Sequence, residues 1–233
     1  MLKSILITGK PRSGKSTLLE RMVSRIPNKV GFLTKEMRVA GERMGFEIET
    51  HLGSKTVLAH VNSKTDYRVS RYFVDIRNLE SIIPEVSTFG KGDILYLDEI
   101  GQMELFSEKF KDLVLSYFDS PNTCLAALSQ VYRDEFTDNI RKRNDVFIVE
   151  ISESDRGEKE KFIEQLLRKI GKARQYSTEP QRFRRRGSRI EMESEHDTRE
   201  LVLRNGRWEC SCNFFKQNRI CSHSIVSAEI ADS

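Results

Sequence analysis

Residues Gly9-Lys10-Pro11-Arg12-Ser13-Gly14-Lys15-Ser16 spell G-x-x-x-x-G-K-S. They stand between a short apolar run at 4–8 and an amphipathic stretch that reaches about Arg25. No other feature of the chain constrains its fold so tightly. A loop of this kind is entered from a buried strand and left through a helix. Its glycines turn backbone N–H groups inward, and the helix aims its positive N-terminus at the same point. The spacing therefore predicts a strand–loop–helix unit and an anion site made for phosphate. Lys15 is expected to reach the β- and γ-phosphates, the Ser16 hydroxyl to ligate Mg2+, and Thr17 to add a phosphate contact.

The next 150 residues extend that unit. Strand-like runs at 30–34, 93–97, 123–128 and 146–151 alternate with helical patterns at 78–87, 107–118, 133–141 and 157–170. Alternation of this kind implies a parallel sheet covered by helices. Two β-rich runs, 45–51 and 55–61, are separated by Leu52-Gly53-Ser54, and a further run follows at 71–76. They read as an antiparallel hairpin inserted after the second strand. With 38% hydrophobic residues the chain has enough apolar material for a packed core. No apolar run reaches the roughly 18–20 residues of a membrane helix. The first ten residues do not read as a secretory signal, so the expected location is cytoplasmic.

A phosphate-bound Mg2+ needs an acid at the end of another buried strand. Ile94-Leu95-Tyr96-Leu97-Asp98-Glu99 supplies two acids in a row. Asp98 is expected to hold Mg2+ through water, and Glu99 to polarise an attacking water. Neighbouring strand residues point to opposite faces, so the pair can serve one site only if the strand ends there. Catalysis would then rest on Lys15 and Glu99. Arg38 and Arg43 are candidates for a cation on the γ-phosphate, as are Arg141 and Arg143. Ser129 or Gln130, after the 123–128 strand, is placed to sense that phosphate.

Several segments together resemble the THEP-type nucleoside-triphosphatases. They are the phosphate loop, Gly31-Phe32-Leu33-Thr34-Lys35-Glu36-Met37-Arg38, Gly41-Glu42-Arg43-Met44-Gly45-Phe46, and Asp98-Glu99-Ile100-Gly101-Gln102-Met103-Glu104-Leu105. The resemblance spans about 1–170. It implies a P-loop NTPase that hydrolyses ATP, GTP and other nucleoside triphosphates to the diphosphate with Mg2+. Glu104 and Arg38 match the family pattern. The chain departs from that pattern at Ser154-Asp155-Arg156-Gly157, where an Asn-Arg-Asp-like string is common, and at Arg12 and Ser13 within the loop.

The C-terminal residues have another character. Strand-like 188–193 and 200–204 lead to Asn205-Gly206, a strong hairpin signal, and 207–212 returns. Then come Cys210-Ser211-Cys212, eight residues, and Cys221-Ser222-His223, with Ile225, Val226 and Ile230 at helical spacing. Three thiols and one imidazole make a complete tetrahedral set for structural Zn2+. The pattern C-x-C-x(8)-C-x-H, with Trp208 before it and Phe214-Phe215 inside it, resembles the SWIM zinc finger. That resemblance implies binding of DNA or a protein. Cys124 reads as a core residue, and His51, His60 and His196 as ordinary histidines.

The expected fold class is thus α/β: a mostly parallel sheet flanked by helices with an inserted hairpin, plus a small ββα zinc-finger module. The expected domains are 1–170, a basic flexible linker at 171–187, and 188–233. The formal charge of +4 is unevenly spread. Segment 171–189 has seven basic residues and one acid, whereas 190–233 has five and eight. Any electrostatic case for DNA or RNA rests on residues 171–189, which include the run Arg182-Phe183-Arg184-Arg185-Arg186. Two other functions fit the same residues: a nucleotide-kinase-like phosphotransferase, and a nucleotide-switched adaptor that binds nucleic acid.

Overall fold

The computed structural model describes residues 1–195 and 197–230, so His196 lies outside the described residues. Contacts divide the chain into Lys3–Glu160 and a second unit made of Met1–Leu2 and the residues from Lys161 on. The first unit holds β1 (Ser4–Thr8), α1 (Lys15–Ser24), β2 (Lys29–Val39), β3 (Glu42–Thr50), β4 (Lys55–His60), β5 (Tyr67–Val69) and β6 (Tyr72–Val74). It continues with α2 (Ile76–Val86), β7 (Ile94–Ile100), α3 (Glu108–Asp119), β8 (Thr123–Leu128), α4 (Glu135–Arg141) and β9 (Val146–Glu150). The boundary falls inside α5 (Arg156–Ser177).

Among the described residues these strands form one nine-stranded sheet, ordered β5-β6-β4-β3-β2-β7-β8-β1-β9. The pairs β2–β7, β7–β8, β8–β1 and β1–β9 are parallel. β1 and β8 are buried along their whole length, as strands covered on both faces must be. Leu6, Phe32, Leu95, Leu97, Phe110 and Tyr117 lie in the core they share. The other half, β2–β3, β3–β4, β4–β6 and β6–β5, is antiparallel. The sheet is therefore mixed, and its antiparallel part is larger than the single hairpin expected.

Two strands outrun their sequence signals. β2 pairs with β7 as far as Phe32, then continues to Val39 against β3. Its second half is partly exposed, so the continuous apolar signal stops near Thr34 while the backbone pairing goes on. β7 runs past Asp98 and Glu99 to Ile100, whereas the sequence predicted an end at Leu97. Its register against β8 breaks between Leu97 and Ile100.

The second unit holds most of α5, then β10 (Phe183–Arg186), β11 (Arg189–Glu193), β12 (Thr198–Arg204), β13 (Arg207–Cys210), α6 (Asn213–Asn218) and α7 (Ser222–Ile230). The four strands form an antiparallel sheet in chain order. Asn205 and Gly206 take φ values of 49° and 75°, the turn their types favour. The segment 171–187 corrects the expectation of a flexible linker. Its first residues are the last turns of α5, because Ala173 and Tyr176 extend the buried stripe of Ile163, Leu166 and Ile170 at helical spacing. Phe183–Arg186 pairs in register with Arg189–Met192. Among the described residues the module is thus larger than ββα, with four strands and two short helices.

Candidate active site and metal centre

The loop after β1 is built around two glycines. A Cβ on Gly9 would lie 2.4 Å from the Ile151 carbonyl oxygen, so the position admits no side chain. Gly14, at φ 88°, caps α1 in the left-handed region, and its carbonyl accepts from Leu18 N–H at 2.9 Å. Lys15 is buried, and its Nζ donates to the Gly9 carbonyl at 3.3 Å, closing the loop on itself. Lys10, Pro11, Arg12, Ser16 and Thr17 are exposed around it, while Ser13 is buried.

β7 brings its two acids to this loop. The Ser16 hydroxyl donates to Asp98 Oδ1 at 2.9 Å, and Glu99 Oε2 lies 4.0 Å from Lys15 Nζ. The pair serves one site even though the strand continues, since the register of β7 is irregular there. The peptide between them is cis. Thr34, on β2, donates its hydroxyl to the Asp98 carbonyl. Burial pushes Asp98 up to about 7, against the hydrogen bond from Ser16. Burial also raises Glu99, opposed by Lys15 and the Ser129 hydroxyl. Glu104, in a 3-10 turn just after β7, is buried and pushed up to about 8 by desolvation and then by Glu99. Asp98 Oδ2 is buried with no hydrogen-bond partner. An orphaned carboxylate oxygen beside a serine hydroxyl is an oxygen donor set suited to a hard dication, which would offset the cost of burying the charge.

The other candidates separate clearly. Ser129 is beside Glu99, but Gln130 Nε2 donates to Glu150 Oε1 at 2.7 Å instead. Arg143 is held by Asp145 at 2.9 Å and Asp119 at 2.8 Å. Arg141 donates to the carbonyls of Ser129 and Thr137. Arg38 and Arg43 both bind Glu36, at 2.5 Å and 2.7 Å. Sequence reasoning missed Arg156. A Cβ on Gly14 would fall 2.3 Å from Arg156 Nη1, so this guanidinium packs on the phosphate loop. Its signal was the departure at Ser154-Asp155-Arg156-Gly157. Thr34 lies in a segment that carries the family resemblance, but its contact with Asp98 joins two strands far apart in the chain and could not be read from spacing.

In the second unit Cys210, Cys212, Cys221 and His223 come together, every donor atom within 4.8 Å of the others. Cys210 Sγ and Cys221 Sγ lie 3.4 Å and 3.8 Å from His223 Nδ1. Zn–S bonds of about 2.3 Å and Zn–N bonds of about 2.1 Å in a tetrahedron require donor separations close to these. Backbone N–H groups of Cys212, Phe215 and Ser224 donate to the three sulfurs, which favours thiolates. Without a cation the thiols divide their protons: Cys212 is driven down by hydrogen bonds from Cys210 and Cys221, and Cys210 is driven up. The donor set fits Zn2+. Cys124 is buried in β8, away from the cluster in sequence and unit. His51 and His60 belong to the first unit and take no part in it.

A family model described as NTPase matches residues 4–164. The chain belongs to the NTPase family. It is 40% identical over 154 residues to the nucleoside-triphosphatase THEP1 of Thermotoga sp. (strain RQ2), covering 65% of this chain and 88% of that protein. It is 29% identical over 174 residues to the human cancer-related nucleoside-triphosphatase, covering 67% and 92%. The crystal structure of THEP1 from Aquifex aeolicus superimposes with a TM-score of 0.64 at 31% identity, covering 70% of this chain and 98% of that one. This NTPase keeps its loop, Asp98 and Glu99 inside the matched stretch, whereas the Cys/His cluster lies beyond it.

Proposed function

We propose that the chain is a Mg2+-dependent nucleoside-triphosphatase converting ATP, GTP and other NTPs to NDP and phosphate. The observation that carries this reading is the convergence of β7 on the loop, Asp98 on Ser16 and Glu99 on Lys15. Backbone N–H groups of the loop between Gly9 and Thr17, Pro11 excepted because it has none, bind the phosphates, and Lys15 turns from the Gly9 carbonyl to the γ-phosphate. Ser16 and Asp98 would hold Mg2+, which would supply positive charge to offset that of the phosphate oxygens. Glu99 orients the attacking water and takes its proton, a role suited to a carboxylate with raised affinity for protons. Lys15→Ala is expected to abolish phosphate release. Glu99→Gln is expected to bind nucleotide normally and to lower kcat by about 100-fold or more. Steady-state phosphate release by Lys15→Ala at the native rate would sink the assignment.

Hydrolysis is assigned to the first unit and structural Zn2+ to the second, with Cys210, Cys212, Cys221 and His223 leaving no open position for catalysis. Among the described residues no helix is long and apolar enough to cross a membrane. A cytoplasmic location is proposed because none of the four cysteines forms a disulfide, which suits a reducing compartment. For the zinc module we propose a nucleic-acid partner, because Arg184, Arg185 and Arg186 are exposed along the edge strand β10. Binding of single-stranded DNA or RNA, read by fluorescence anisotropy, should weaken at least tenfold between 50 and 200 mM salt (values of order set by counterion release). It should weaken again when the three arginines become Ala. An unchanged isotherm would leave a protein partner as the alternative.

A further inference from the structure

A second cationic cavity shares one residue with the phosphate loop. It has a volume of about 320 Å³ and is lined by Arg12, Arg38, Arg43, Ser70, Arg71 and Tyr72. Arg12 belongs to the loop, whereas the other five come from β2, β3, β6 and the turn before β6. Lys15, Ser16, Asp98 and Glu99 are not among its lining residues, so the cavity is distinct from the loop's interior.

Four guanidinium groups meet here against two carboxylates. Arg38 and Arg43 share Glu36, and Arg71 pairs with Glu42 at 2.7 Å. Arg12 has no ion-pair partner among the described residues. The lining and its direct partners therefore carry a surplus of two positive charges. The forks are also held in place. Arg43 Nε donates to the Tyr72 hydroxyl at 2.9 Å, and its guanidinium lies 5.2 Å from the Phe46 ring centroid. Arg71 Nη2 donates to the Arg43 carbonyl at 2.5 Å, and Arg38 Nη1 to the Gly41 carbonyl at 2.8 Å. Gathering like charges costs free energy unless an anion answers them. Planar forks in fixed orientation match phosphate oxygens in pairs.

The geometry points to a second phosphate site: the cavity binds a dianionic phosphate group, separate from the one the loop holds. Two sources share that chemistry. One is inorganic phosphate, and the other is the phosphate monoester of a second nucleotide. The inference goes beyond hydrolysis at the loop, and its test separates the two. The full chain is saturated with Mg-ADP, monitored by isothermal calorimetry, and then titrated with inorganic phosphate in one arm and AMP in the other. At least one probe is expected to bind with 1:1 stoichiometry. Arg71→Ala and Arg38→Ala should each weaken that binding tenfold or more. Equal affinity for the two probes assigns recognition to the phosphate alone, and tighter AMP assigns it to a nucleotide. If Arg38→Ala does not fold, the exposed Arg71 carries the test. Absence of binding by both probes, or equal binding by native and variant proteins, overturns the proposal. Failure of the first titration, with ADP, counts against the loop assignment only and leaves the phosphate titration readable.

Discussion

At the scale of residues, the candidate site gathers three carboxyls, Asp98, Glu99 and Glu104, at the end of β7 beside the phosphate loop. Asp98 and Glu104 are both nearly inaccessible to solvent, and each is pushed toward its neutral form by burial. Glu104 comes beside Glu99 through the turn at Gly101, whose added Cβ would lie 3.1 Å from Glu104 Oε2. With its carboxyl raised to about 8, folded Glu104 keeps a proton that an unfolded chain releases near pH 4.3. The associated stability is full below the unfolded value and is lost as pH rises through about 8. Glu104→Gln stays neutral at every pH. Calorimetric melting from pH 6 to 9 should therefore show the native protein losing Tm with rising pH relative to Glu104→Gln. Parallel curves would mean that Glu104 is already ionised at pH 6.

At the scale of elements, the strands and helices that position the site are set by local chemistry that can be checked one at a time. α2 begins at Ile76, two residues before the helical pattern read from the sequence, and is capped by Asp75, which accepts from Arg77 N–H at 3.0 Å and Asn78 N–H at 3.2 Å. Asp75→Ala should lower stability by about 1 kcal/mol in urea denaturation, with Asp75→Asn close to native. β8 was legible residue for residue because all six of its side chains are buried and apolar or small. β2 and α5 were not. The apolar run of β2 fades once its far half leaves the core, and the last turns of α5 look polar because only Ala173 and Tyr176 mark the buried face. Pairing in the one case and burial in the other continue an element beyond its sequence signal.

At the scale of the whole molecule, the two proposed chemistries fall in the two units of the chain. The residues assigned to hydrolysis lie within Lys3–Glu160, and all four sulfur and nitrogen donors lie in the other unit. Chelation of Zn2+ is accordingly expected to remove one equivalent of metal per chain and to melt the β10–β13 sheet, while NTP hydrolysis continues. Metal analysis and circular dichroism read the first two effects, and phosphate release the third. Loss of hydrolysis on chelation would show that the units are coupled. The sequence by itself determined the loop, its strand and helix, the two acids and the four thiol and imidazole donors, because each depends on residue type at short spacing. Only the tertiary structure decided that β7 carries both acids to the loop without ending. It also decided that Arg156 packs on Gly14 and that four arginines distant in sequence share one cavity. Those contacts are made across the sheet and between segments far apart in the chain, where spacing carries no information and packing selects the neighbours.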